Sequence, residues 1–197
     1  NDTEVDKNFA KELLAAIKSD EKIFSCSSKM VQDHDRDHMD DAGDYYCALG
    51  WAFGRGKGGL VENYDTPVTV FASCAGAAIY RKQMLESLGF FDENHFAYLE
   101  DLDVGYRARI QGYQNWYEPK AKVLHYGSAS TGSRYNETKT AYASANSVYV
   151  VGKNMPFLQL LINLPFLLAG FGIKFLFFVK KKKRKTLNYI VTKNMRN

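Results

Sequence analysis

The sequence predicts a mixed α/β domain over residues 1–155 and an apolar helical segment with a polybasic tail over 156–197. Three observations lead there. A chain of 197 residues with 46% hydrophobic, 14% aromatic and 24% charged residues suits one packed core rather than a disordered, collagen-like or disulfide-stapled chain. Helical periodicities and short apolar or β-branched runs interleave through the first part. The most apolar stretch, Phe157–Val179, is followed at once by Lys180–Lys185.

Asn1–Val5 reads as the end of a strand whose beginning lies upstream, so the chain is expected to be a fragment. From Asp6, an N-cap candidate, Phe9, Leu13, Ala16 and Ile17 share a helical face while Lys7, Lys11 and Lys18 fall elsewhere, which predicts an amphipathic helix to about Ser19. A strand is expected at Ile23–Met30. Asp33–Gly59 carries Asp33, Asp35, Asp37, Asp40, Asp41 and Asp44, two histidines and then Gly54, Gly56, Gly58 and Gly59. That composition predicts a long loop or lid, and loops of such length commonly cover a site. Val68–Phe71 and Ala77–Tyr80 predict strands around a tight small-residue segment, Ala72–Gly76. A short helix over Arg81–Leu88 stops at Gly89. Another, from about Glu100 to Ile110, stops at Gly112 and pairs Asp103 with Arg107 at i, i+4. Two short strands are expected near Asn115–Glu118 and Val123–Tyr126. Asn136 then caps a helix reaching Lys153, whose Tyr135, Tyr142 and Tyr149 recur every seven residues as a packing stripe.

The net charge of +4 is unevenly placed. Residues 180–197 hold eight Lys/Arg and no acid, leaving 18 bases against 22 acids in residues 1–179. The body of the chain is thus not basic, so no nucleic acid is expected as a partner, and the positive tail points to an anionic membrane surface. Cys26, Cys47 and Cys74 are odd in number and form no C-x-x-C, which argues against a disulfide framework or a zinc site and suits reduced cytosolic thiols.

Four groups of residues bear on chemistry. Asp2 and Glu4 sit at a strand's C-terminal end, where open α/β sheets place ligands, and hard carboxylate oxygens there suit Mg²⁺ or Mn²⁺. Glu100, Asp101 and Asp103 put three carboxylates at a helix N-terminus, where the dipole is expected to keep a general base ionised. Capping by Glu100 and Asp101 with an ion pair from Asp103 is the structural alternative. His125 ends a strand before small hydroxylated residues, and a neutral imidazole there is able to complete a metal site with a carboxylate. His34 and His38 have the i, i+4 spacing of a helical metal pair, but H-E-x-x-H is missing, and a solvated lid is the better reading.

In order along the chain, these residues resemble the catalytic domain of glycosyltransferase family 2, specifically the rhamnosyltransferase-like enzymes that build bacterial cell-surface polysaccharides. Four segments carry the resemblance: Asn1–Val5, Cys74–Arg81, Phe91-Asp92-Glu93 with Tyr98–Asp103, and His125–Ser128. It implies a GT-A fold, lacking here the N-terminal nucleotide-binding part, and an inverting transfer from a nucleotide-sugar donor to a glycan or lipid-linked acceptor. Asp101 would be the base, with Glu100 and Asp103 orienting acceptor or base. Asp2 and His125 would hold Mg²⁺ or Mn²⁺, Gly76 and Ala77 would line the sugar pocket, and Asp92 and Glu93 would belong to the acceptor side. A non-catalytic membrane-binding module on a GT-A-like scaffold is the alternative.

Phe157–Val179 is long enough to cross about 30 Å of hydrocarbon. Nucleotide-sugars are cytosolic, so a single span would put Lys180–Lys185 outside, against the positive-inside tendency, and Pro165, Gly170 and Gly172 interrupt the run. C-terminal membrane-associated helices, as an interfacial or re-entrant pair on the cytoplasmic face of the plasma membrane, are therefore expected.

Overall fold

The computed structural model describes the backbone of residues 2–127 and 137–194, and within the second stretch the side chains of 140–180. These divide into two units, one of residues 1–46 and 52–155, the other of 47–51 and 156–197.

The first unit is a mixed sheet flanked by helices. Its middle is a parallel pair, β2 (Ile23–Gln32) beside β8 (Gln114–His125). Residues Ile23–Val31 of β2 are all buried, as a strand covered on both faces must be. β1 (Thr3–Val5) and β6 (Val68–Val70) pair antiparallel with the two ends of β8, while β3 (Asp35–Asp41) and β7 (Ala78–Tyr80) pair antiparallel with β2. β4 (Asp44–Tyr46) and β5 (Ala52–Gly54) form a separate hairpin.

The helix expected from Asp6 begins at Phe9 instead (α1, Phe9–Ser19), because the Asp6 carboxylate accepts from the Asn8 N–H at 2.9 Å in a turn ahead of it. Its apolar stripe is the expected one: Leu13, Ala16 and Ile17 pack against Ile23, Cys26 and Ala121. α2 (Lys82–Ser87) and α3 (Glu100–Ile110) stand where periodicity placed them. α4 runs Glu137–Asn154. The Asn136 cap, Tyr135 and the Gly/Ser-rich segment before them lie outside the described residues.

Three expectations are corrected. Asp33–Gly59 is no lid, because it contains β3, β4 and β5. Met39, the single apolar residue of β3, is fully buried against Val31, Ala42, Val70 and Tyr117, and this contact with sheet pairing to β2 overrides the strand's polar composition. His34 and His38 consequently have no helical spacing. The two strands after Gly112 are one, β8, carrying a bulge: Ser28 pairs with Glu118 and Lys29 with Lys122, so Pro119, Lys120 and Ala121 are the surplus. Proline has no N–H for the ladder, which is why the irregularity falls there.

The third correction concerns the second unit, where the expected helix pair is one helix, α5 (Phe157–Asn194), continuous through Pro165. Gly170 serves a close approach rather than a break, since a Cβ there would collide with the Leu49 carbonyl. Trp51 Nε1 donates to the Gly170 carbonyl at 3.3 Å, and the Lys174 ammonium lies over the Trp51 ring. Phe157–Lys180 is long and apolar enough to cross a membrane, with a mean hydropathy of 1.9, and only 11% of its apolar window is buried. The side chains of Lys181–Lys185, part of the basic cluster, lie outside the described residues.

Candidate active site

One group of candidate side chains forms where β1 meets β8. Thr3 pairs with His125, and the Tyr126 N–H donates to the Asp2 carbonyl at 2.9 Å, so the residue before β1 lies beside the end of β8. His125 Nε2 is 3.4 Å from Asp2 Oδ2. Its Nδ1 is 2.7 Å from Oδ2 of Asp40, and the other Asp40 oxygen pairs with the Lys57 ammonium. Burial pushes the Asp40 carboxyl up, but the hydrogen bonds from Lys57 and His125 outweigh it and hold the group below the usual carboxylate range. Glu4 instead accepts from the Tyr126 hydroxyl at 2.8 Å. An imidazole nitrogen and a carboxylate oxygen facing one another at a half-exposed position fit a divalent cation such as Mn²⁺ or Mg²⁺. Asp40 belongs to no motif legible in the sequence, because the composition of its segment reads as a lid.

A second group forms at the N-terminus of α3. Phe96, Tyr98 and Leu99 all have positive φ (55°, 70° and 67°), a conformation that L side chains resist. Asn146 of α4 holds this turn: its Nδ2 donates to the carbonyls of His95, Ala97 and Tyr98 at 2.9, 2.9 and 2.7 Å. Asp101 then accepts from the Ala75 N–H at 3.0 Å and from the Leu102 N–H at 2.8 Å. α3 reaches that position because residue 105 is glycine; a Cβ there would stand 2.6 Å from the Ala72 Cβ. Beneath it, Asn115 donates to the Phe71 and Gly105 carbonyls and accepts from Ser25, whose hydroxyl also bonds Ser73. This buried network joins β2, β8, α3 and the small-residue segment.

Burial pushes the Asp101 carboxyl up, although the backbone N–H groups of Ala75 and Leu102 oppose it. Desolvation thus outweighs the hydrogen bonds that favour the ionised form. Asp41 and Asp44 act on the same spot. Burial and the charges of Asp40 and Asp101 push Asp41 up to about 7, and burial with the Asp41 charge pushes Asp44 well up. Strand alternation sends Asp40 and Asp41 to opposite sides of β3, one toward His125 and one toward Asp101. Glu100 is raised by burial and then by Asp101. Burial likewise raises the Cys74 thiol well above its ordinary value.

The remaining expected site residues are more structural in their contacts. Asp103 is fully buried, bonding Arg107 at 2.8 Å, Lys153 at 3.0 Å and Asn154 at 2.7 Å, and those partners hold its carboxyl below its ordinary value against the upward push of burial. Asp92 caps the turn Glu93–His95 and bonds Tyr149 and Lys153. Asp92, His95 and Asp103 are close enough to share a cation, but the Lys153 ammonium already stands between the two carboxylates. Asp92 and Glu93 line a cleft of about 470 Å³ with Leu88, Phe90, Arg107 and Lys153. Gly76 is exposed, and a Cβ there would make only ordinary contacts. The Ala77 side chain is buried against Met30 and Val123, and its carbonyl accepts from the Ser28 hydroxyl at 2.8 Å.

No protein-family model matches the chain. Over 54 residues it is 41% identical to the N-acetylglucosaminyl-diphospho-decaprenol L-rhamnosyltransferase of Mycobacterium tuberculosis, in both the CDC 1551 / Oshkosh and the ATCC 25618 / H37Rv strain. That match covers 27% of this chain and 18% of the relative. Among solved structures it is similar to GalNAc-T7 bound to UDP, GalNAc and Mn²⁺, with a TM-score of 0.53 and 17% identity over 76% of this chain and 30% of the other. The curled α/β sheet with its flanking helices has the GT-A glycosyltransferase fold, and the apolar α5 follows it.

Proposed function

We propose that this chain carries the metal-binding, catalytic and acceptor side of an inverting glycosyltransferase that moves a sugar from a nucleotide-sugar to a lipid-linked or cell-surface glycan. The observation that carries this reading is that one unit of GT-A fold holds both the Asp2 and His125 pair and, at the start of α3, the Asp101 carboxylate seated on the Ala75 N–H. The rhamnosyltransferase match makes rhamnose the favoured sugar, and the Mn²⁺ in the solved neighbour supports a divalent ion here.

Asp101 acts as the general base. The acceptor hydroxyl loses its proton to the Asp101 carboxylate as its oxygen bonds the anomeric carbon, and the bond from that carbon to the diphosphate breaks. Burial strengthens the base, since a carboxylate with a raised pKa holds the proton better, while the Ala75 and Leu102 N–H groups fix its direction. Asp2 and His125 would hold the divalent ion, and the charge it would supply there would offset that of the departing nucleoside diphosphate. Glu100, beside the base, is assigned to the acceptor, and Asp103 to fixing α3 through Arg107 and Lys153. Gly76 with Ala77 and the Asp92–Glu93 cleft are assigned to the bound sugars. α5 is assigned to an anionic membrane interface on the cytoplasmic side, because only 11% of its apolar window is buried.

The test is donor turnover by the intact natural protein, with UDP-, dTDP- and GDP-sugars, with and without Mn²⁺. One donor is expected to turn over only with metal, and Asp101→Asn to abolish transfer while donor binding survives. Wild-type transfer by Asp101→Asn refutes the base assignment. Absence of binding to every donor by folded protein shifts the reading to a membrane-binding module.

A further inference from the structure

Asp40 belongs to none of the motifs that led to the site, yet its side chain is 13% exposed and spans two functional groups. We infer that Asp40 is a positioning residue that fixes the His125 imidazole in the orientation and tautomer a divalent cation requires. The inference rests on the reading of Asp2 and His125 as the metal pair.

The argument is geometric. With Asp40 Oδ2 2.7 Å from Nδ1, the hydrogen-bonded tautomer of a neutral ring carries its proton on Nδ1, because two acceptors at that distance repel. The lone pair then lies on Nε2, the nitrogen facing Asp2 Oδ2 at 3.4 Å. Without the carboxylate the ring would turn about its Cβ–Cγ bond, and either nitrogen would carry the proton. Asp40 is itself held from two sides. Its neighbours Met39 and Asp41 pair with Val31 and Met30 of β2, which fixes the backbone. Its second oxygen pairs with Lys57 on the glycine-rich loop 54–59. That loop is fastened to β3 by the Met39 N–H to Gly59 carbonyl and Gly58 N–H to Met39 carbonyl bonds, at 2.8 and 2.9 Å. A carboxylate behind the ligating histidine sets ring orientation and raises ligand basicity.

The test measures Mn²⁺ binding to the intact natural protein without donor, by the electron paramagnetic resonance signal of the free ion, and the His125 tautomer by long-range nitrogen–proton correlation. Asp40→Ala is expected to weaken Mn²⁺ binding by roughly 10–100-fold and to mix the tautomers. Asp40→Asn, whose side-chain carbonyl still accepts from Nδ1, is expected to keep the Nδ1–H tautomer and lose less affinity, and it guards against a general folding defect. If His125→Ala loses Mn²⁺ while Asp40→Ala retains it within about twofold of wild type and keeps one tautomer, the Asp40 role is overturned and the metal pair stands. If His125→Ala binds Mn²⁺ as wild type does, the metal pair is wrong and the Asp40 inference falls with it.

Discussion

Replacing Asn146 with alanine is expected to unlock the turn that presents Asp101. The amide's two hydrogens serve three carbonyls at 2.7–2.9 Å, and the residue is 5% exposed. Losing two hydrogen bonds removes about 1 kcal/mol each, and a carbonyl left buried without a donor costs about 1–3 kcal/mol. The positive φ of Phe96, Tyr98 and Leu99 stores about 1 kcal/mol or more apiece, which only such a clamp retains. Allowing for partial relaxation toward ordinary φ values, Asn146→Ala should lower the unfolding free energy by about 2–4 kcal/mol. Asn146→Asp, of the same shape but without donors, should cost at least as much. Urea unfolding followed by tryptophan fluorescence reads the stability. Turnover reads the second consequence, because displacing Asp101, the proposed base, by about 1 Å should lose on the order of 100-fold in rate. A loss under about 0.5 kcal/mol with turnover intact would refute the clamp.

Three further outcomes are expected. Asp41 has its folded pKa raised to about 7 from 3.8, so the stability it contributes is fully present below about pH 4 and lost as pH rises through about 7. Asp41→Asn should therefore leave stability at pH 4 little changed and raise it at pH 8 by about 2–4 kcal/mol, read from urea midpoints at both pH values. Asp103→Asn leaves Arg107 and Lys153 without their buried counter-charge and should cost about 3–5 kcal/mol in thermal or urea unfolding; a loss under about 1 kcal/mol would contradict the tie. Ile162→Glu with Phe166→Glu, both on the exposed surface of α5, should weaken binding to anionic vesicles about tenfold or more without moving the melting temperature, and unchanged sedimentation with vesicles would count against the membrane role.

What the sequence determined by itself is what short-range chemistry controls. The face of α1 defined by Leu13, Ala16 and Ile17, the bounds of α3, its Asp103–Arg107 pair and the apolar run of α5 all follow from periodicity, and α3 stands at Glu100–Ile110 as expected. Asp2 and His125, 123 positions apart, are linked in the sequence only by the family resemblance, and the pairing of β1 with β8 is what brings them to 3.4 Å. The tertiary structure alone decided the rest. β3 is a strand because Met39 and the β2 edge outweigh its aspartates, so Asp40 arrives behind His125 and Asp41 near Asp101, where local composition had indicated only a solvated loop. Asn146 likewise looks like an ordinary helical asparagine until the turn 95–98 is folded against it. The carboxyl pKa at Asp101 depends on how much water the surrounding segments remove, a sum over distant parts of the chain that no local pattern records.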